Sequence, residues 1–241
     1  MSAIAIVTGG ASGIGDAIVA KFSADGYRVI SLDLAEPLTP RQGVEYRQFD
    51  VTSEPLWIDL AQEFPNPKAV VNAAGIAMRH RITDIDLDSW NLALNVNVTG
   101  PMLALRHLGS KMTGGSFVNI GSVAGFAGHA AVAYTTSKWA LRGLTHSAAS
   151  ILAKQGVRVN LVHPGYIETP LMATANPHFK TAHISITPQE RVGTAEEVAA
   201  AVAFLASDSA SYINGAELTV AGGFVSSAGT KLIADQVAKN S

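Results

Sequence analysis

The stretch Ala3-Ile4-Ala5-Ile6-Val7 runs directly into Thr8-Gly9-Gly10-Ala11-Ser12-Gly13-Ile14-Gly15, and a helical apolar pattern continues from Ile14 to Ala24. A short β-branched run, a glycine-rich turn and a helix, in that order, predict the first βα unit of a dinucleotide-binding sheet. Glycines at 9, 13 and 15 allow a tight turn, close approach of a pyrophosphate and close packing of helix on strand. The helix start offers free N–H groups and a positive dipole end to phosphate. The next predicted strand, Arg28–Leu32, runs into Asp33. A carboxylate there can accept hydrogen bonds from both ribose hydroxyls and repels a 2′-phosphate. Position 12 is Ser and offers such a phosphate no cation, so the reading selects NAD over NADP.

Outward from this unit, strand-like and helix-like runs alternate. Glu45–Phe49, Ala69–Val71, Ser116–Ile120, Arg158–Val162 and Glu217–Val220 read as further strands. Trp57–Glu63, Asp88–Lys111, Tyr134–Lys154 and Ala195–Ala206 read as helices. That alternation predicts an α/β fold: a Rossmann-type, doubly wound parallel β-sheet flanked by helices on both faces. No second cluster of elements is left over, so residues 1–241 are expected to form one dinucleotide-binding, catalytic domain. Two appendages are expected on it, a substrate loop at about 171–190 and a C-terminal tail at about 226–241.

Composition narrows the function classes. The 241 residues are 48% hydrophobic and 15% charged, with a net charge of −2 and no cysteine. The absence of any Lys/Arg block argues against nucleic acid and anionic membrane as partners. With no thiol, disulfides, thiolate metal sites and a cysteine nucleophile are out. The low charged fraction points to surface covered by other subunits. The first residues carry no basic segment and only a short apolar run, so the expected location is cytoplasmic.

The chemistry concentrates at Tyr134-Thr135-Thr136-Ser137-Lys138, where i, i+4 spacing puts phenol and ammonium on one helix face. An unperturbed tyrosine ionises near pH 10, and a neighbouring cation is expected to pull that value toward working pH. Upstream, Asn119-Ile120-Gly121-Ser122-Val123-Ala124-Gly125 is a strand end followed by a loop, where Ser122 could hold a substrate oxygen beside Tyr134. Asn72-Ala73-Ala74-Gly75 closes another strand, and Asn95-Val96-Asn97-Val98-Thr99-Gly100 lies in a helical pattern. His163-Pro164-Gly165-Tyr166-Ile167-Glu168-Thr169-Pro170 leaves a strand for a loop.

In that order the motifs resemble the classical short-chain dehydrogenase/reductase family over roughly residues 3 to 225. The resemblance implies a catalytic set of Asn97, Ser122, Tyr134 and Lys138, with Asn97 chosen over Asn95 because Asn97-Val98-Thr99-Gly100 matches the family's Asn-x-x-Gly run. Tyr134 is then the acid–base, Lys138 lowers its pKa and holds the nicotinamide ribose, Ser122 orients the carbonyl oxygen, and Asn97 supports a water leading protons outward. Around the NAD cofactor it implies Gly9, Ser12, Gly13, Ile14 and Gly15, then Asp33 and Leu34 with Asp50 and Val51. It adds Asn72, Ala73, Ala74 and Gly75, and then Pro164, Gly165, Ile167 and Thr169. Two departures stand out: Ala221 precedes Gly222-Gly223 where the family usually has an acidic residue, and the stretch from Asp33 to Val70 is short. Family members pair helices like Tyr134–Lys154 in dimers of dimers, which implies a homotetramer.

The substrate end is read from Val123, Ala124 and His129 in one loop and from Met172 and Phe179 in the other. This lining is mainly apolar and favours a neutral hydrophobic or alicyclic alcohol or ketone. Arg79-His80-Arg81 reads as a solvated turn, with contact to an anionic, carboxylate-bearing substrate as the alternative. A metal site is not expected, because His178 and His183 lie in a loop-like segment without paired carboxylates. Ser122 with His129 lacks the turn of a hydrolase. A dinucleotide-sensing protein without chemistry would be expected to lack Tyr134 or Lys138. An enoyl reductase resembles a Tyr-x6-Lys spacing, and an epimerase would need a further C-terminal domain.

Overall fold

The computed structural model describes residues 2–173 and 177–239. Strands β1 (Ile4–Thr8), β2 (Arg28–Asp33), β3 (Val44–Gln48), β4 (Ala69–Asn72), β5 (Ser116–Ile120), β6 (Arg158–Pro164) and β7 (Glu217–Val220) form one seven-stranded sheet. Its order is β3-β2-β1-β4-β5-β6-β7, and every pairing is parallel. The central strands are buried and mainly apolar because helices cover both faces. Helix α1 (Gly13–Ala24) follows β1, α2 (Glu54–Glu63) follows β3, and α3 (Leu87–Leu94) follows β4.

Alternate side chains along each strand enter two cores. Ile6, Ile30, Leu32, Val70 and Phe117 join Trp57 and Leu60 of α2 on one face. Trp57 sits edge-on to Phe49 at 4.8 Å and donates its indole N–H to Val51 O at 2.8 Å. On the other face Val7, Val29 and Val71 pack with Ile18, Val19 and Phe22 of α1 and with Val198, Val202 and Leu205.

The expected continuous helix Asp88–Lys111 is interrupted. After α3 the chain makes a wide π-type turn at Asn95–Thr99, a short α4 (Gly100–Ala104) and a second wide turn at Leu105–Gly109. α5 (Val132–Leu152) then carries Tyr134 and Lys138. The expected loop at 171–190 is mostly helical, with α6 (Pro170–Ala173) and α7 (Pro177–Ile186); residues 174–176 of it lie outside the described residues. His178 and His183 therefore sit on a helix. Its weak apolar periodicity and the two prolines at its edges hid it in the sequence.

α8 (Ala195–Ala206) begins with a capping box between Thr194 and Glu197 and packs against α1. The expected tail at about 226–241 forms α9 (Phe224–Lys239), which starts at the turn after β7; residues 240 and 241 lie outside the described residues. Among the described residues no helix is long and apolar enough to cross a membrane.

Candidate active site

The sheet order reverses direction between β1 and β4, since connections run outward on both sides from there. Loops at the carboxyl ends of the two strands part at such a point and leave a crevice. The structure has a cleft of about 330 Å³ there, bordered by the turn after β1, the ends of β2 and β4, the loop after β5, α5 and the loop after β6. Gly9 makes the crevice possible. Its φ is +68°, and a Cβ on it would lie 2.7 Å from the backbone of Ala74.

The cofactor end follows the sequence closely. Gly9, Ser12, Gly13, Ile14, Gly15, Asp33, Leu34, Asp50 and Val51 all border the cleft, as do Ala73, Ala74, Gly75, Pro164, Gly165, Ile167 and Thr169. Asn72 does not reach it. Its amide is buried in the sheet and donates to Asn119 Oδ1 at 2.8 Å, while Asn119 donates to Thr145 Oγ1 at 2.9 Å. It ties β4 to β5 beneath the cleft floor.

The donor set fits a nicotinamide dinucleotide. The Ser12 side chain does not cap α1, so the N–H groups of its first turn face the cleft without that partner. At one end Asp33 accepts from Ala11 N at 3.0 Å and Ala35 N at 3.1 Å. Those bonds fix the carboxylate and leave it further lone pairs. Asp50 is turned to its own loop, accepting from the backbone and hydroxyl of Thr52 at 2.8 and 2.7 Å.

At the other end Tyr134, Ser122 and Lys138 meet. The hydroxyls of Tyr134 and Ser122 are hydrogen-bonded. Ser122 Oγ also accepts from Ala124 N at 3.1 Å. Lys138 is buried, donates to Ile120 O at 2.8 Å, and holds its ammonium 5.6 Å from the Tyr134 ring centroid. Burial sets the titration of both. It pulls the Lys138 ammonium down to about 8. It pushes the Tyr134 phenol above its ordinary value, with the Ser122 bond opposing. The expected pull of Tyr134 toward working pH by the Lys138 ammonium, which a positive nicotinamide would reinforce, is opposed here by that burial. Desolvation of the phenolate is the larger influence on Tyr134 in this site.

Asn97 stands behind this group and does not border the cleft. The wide turn at Asn95–Thr99 rotates it inward, where Oδ1 accepts from Ile76 N at 2.9 Å and Nδ2 donates to Ile76 O at 3.0 Å and Ser137 Oγ at 2.9 Å. Ser137 donates in turn to Tyr134 O at 2.7 Å. Asn97 therefore clamps the β4 loop to the first turn of α5.

Of the residues expected against substrate, Met172 borders the cleft with Leu171. Val123, Ala124, His129 and Phe179 do not border it. Val123 and Ala124 form a one-turn helix after Ser122. His129 and Phe179 meet edge to face at 5.8 Å, and Phe179 also contacts Tyr166 and His183. These rings join the loop before α5 to α7 outside the cleft. Leu171 was expected in the substrate lining, whereas sequence reasoning missed Ile76. Ile76 holds Asn97 through backbone groups, which leave no mark on residue type. Among the described residues no group of three or more His, Cys, Asp or Glu side chains is arranged to hold a metal.

Residues 9–225 match a family model described as enoyl-(acyl carrier protein) reductase. The chain belongs to the short-chain dehydrogenase/reductase family. It is 36% identical to a 3-alpha-(or 20-beta)-hydroxysteroid dehydrogenase of Mycobacterium bovis, over 92% of this chain and 89% of that protein. It is 35% identical to an NADP-dependent (R)-specific alcohol dehydrogenase of Lentilactobacillus kefiri, over 92% of this chain and 96% of that one. A solved structure of 4-hydroxyisoleucine dehydrogenase complexed with NADH superposes with a TM-score of 0.85 at 28% identity, covering 92% of this chain and 98% of that one. This short-chain dehydrogenase/reductase is accordingly an oxidoreductase for hydroxy substrates and uses a nicotinamide dinucleotide.

Proposed function

We propose that the chain is an NAD-dependent short-chain alcohol dehydrogenase/ketoreductase that interconverts a secondary alcohol and a ketone, with Tyr134 as the acid–base and a neutral hydrophobic or alicyclic substrate. One observation carries the reading: the Tyr134–Ser122 hydroxyl pair and the Lys138 ammonium lie at one end of a cleft whose other end holds the Asp33 carboxylate. The nicotinamide, when bound, supplies the hydride site. Ser122 hydrogen-bonds the substrate oxygen and holds it at the phenol. In reduction, Tyr134 donates its proton to the developing alkoxide, and the raised pKa keeps that proton available. In oxidation, Tyr134 takes the proton, and the Lys138 ammonium stabilises the phenolate. Asn97 and Ser137 fix the α5 turn that carries both. Asp33 receives the adenosine ribose hydroxyls and repels a 2′-phosphate.

Turnover of a panel of secondary alcohols with NAD and NADP tests this. The expected result is at least tenfold higher kcat/KM with NAD, and loss of about 10²-fold or more in kcat for Tyr134→Phe with NADH affinity kept. Higher efficiency with NADP would refute the role given to Asp33. Wild-type kcat in Tyr134→Phe would refute the acid–base. A second substrate reading has one observation behind it: Arg79 donates to Leu171 O at 2.9 Å on the cleft border, which brings a guanidinium to the substrate side. Preference for carboxylate-bearing members of the panel, lost in Arg79→Ala, would favour it. The same family reading makes the working form a homotetramer, consistent with exposed Trp139 and Ile151 on α5 and Leu232, Ile233 and Val237 on α9.

A further inference from the structure

Behind Ser122, three elements converge on the loop that carries it. His163, at the end of β6, is fully buried with its Nδ1 2.8 Å from Ser122 O and 3.3 Å from Ser122 N. Its Nε2 lies 3.1 Å from Glu217 Oε2, at the start of β7. Glu217 also accepts from Arg142 Nε at 2.8 Å and lies 2.7 Å from His146 Nε2, both on α5. Arg142 closes the ring of contacts by donating to Gly125 O at 2.9 Å and stacking over Phe126 at 4.6 Å, while Phe126 packs on His163 at 4.4 Å. Residues 122–126 are thus gripped at both ends from one side of the sheet.

The loop sequence accommodates this grip. A Cβ at Gly121 would come within 2.7 Å of His163 Nδ1, so only glycine lets the imidazole reach the Ser122 backbone. A buried imidazole needs both nitrogens satisfied. Nε2 lies on the acceptor-only Glu217 carboxylate and Nδ1 lies 2.8 Å from Ser122 O, so a proton on either nitrogen has an acceptor and the ring is tied to both. Burial lowers the pKa of this imidazole, against its bonds to Ser122 and Glu217 and with the Arg142 charge. Ser122 Oγ hangs from the backbone that His163 fixes. Its distance to Tyr134 follows from that grip.

We propose that His163 is a positioning residue for Ser122, held in orientation by Glu217 and Arg142. The inference rests on the dehydrogenase reading of the cleft and deepens it. The test is a double-substitution cycle in the full-length enzyme, with kcat for the best alcohol of the panel and NADH affinity read separately. His163→Leu should lower kcat about tenfold or more with NADH affinity within about threefold of wild type. His163→Asn, which keeps a polar atom near the Nδ1 position, should recover part of that loss. Combined with Ser122→Ala, His163→Leu should cost nothing further, because its effect passes through the serine hydroxyl. If His163→Leu proves too unstable to purify, Glu217→Gln takes its place in the cycle with the same expected non-additivity. Wild-type kcat in the variant used, or a double variant whose loss is the product of the two single losses, overturns the proposal. If the wild-type enzyme oxidises no alcohol on the panel, the reading of the cleft fails. If it does and only the cycle is additive, the role of His163 fails alone.

Discussion

Lys138 shows how far a residue's properties depend on where the fold puts it. Its ammonium is buried and bonded to a single carbonyl, so desolvation lowers its pKa from 10.5 to about 8. Between those two pH values the unfolded chain holds a proton that the folded one has released, so stability rises with pH across that window. The difference is on the order of 3 kcal/mol at most. Denaturant midpoints of wild type and Lys138→Met, compared at about pH 7 and about pH 9.5, should show the wild type gaining on the variant as pH rises. A gap that stays constant would mean the amine is better solvated than the geometry indicates. Residue identities of this kind were legible in the sequence: Tyr134, Lys138 and Ser122 stand together as their spacing implied. Their titration was not legible, because spacing puts an ammonium near a phenol but cannot show how far burial opposes it. Asn97 and Asn72 make the same point. Asn72 was expected at the cofactor and Asn97 at a water leading protons outward, and in the structure both hold the protein to itself beneath the cleft.

Among the elements, the strands were the most readable, since β-branched runs between glycines specify little else. Ser116–Ile120 and Glu217–Val220 appear with the expected ends. Helices failed where a local event overrides periodicity. The wide turn at Asn95–Thr99 keeps helical hydrogen bonding while adding a residue per turn, so the apolar pattern passes through it unmarked. α7 and the first turns of α9 are only weakly amphipathic, so nothing in residue spacing announced them. α8 was legible as Ala195–Ala206, and its start can be tested apart from the chemistry. Thr194 Oγ1 accepts from Glu197 N, while the Glu197 carboxylate accepts from Thr194 N at 2.9 Å and pairs with Arg191. Thr194→Ala removes the hydroxyl half of that box and should cost about 1 kcal/mol. In a chain of this size that is a fall of about 2–4 °C in Tm. kcat should be unaltered, because α8 borders none of the reacting groups; a change in kcat would tie this helix to the site.

At the scale of the molecule, the alternation of strand and helix foretold the parallel sheet, and the glycine-rich first turn foretold which edge would carry the cleft. What surrounds the sheet was less legible, because exposed apolar residues declare a partner only when the whole surface is assembled. Trp139 and Ile151 remain exposed on α5, and Leu232, Ile233 and Val237 on α9. The proposed tetramer predicts a light-scattering mass about fourfold that of the 25.1 kDa chain at micromolar concentration; a stable monomer would leave these residues in need of another explanation. The reversal of strand order between β1 and β4 has a further consequence. Asp33 reaches the cleft from the half of the sheet built first, whereas Ser122 and Tyr134 reach it from the half built later. Under the proposed function, the residue that selects the dinucleotide and those that handle the alcohol proton are therefore written in separate blocks of the gene, and a recombination falling between them could exchange one trait while inheriting the other intact.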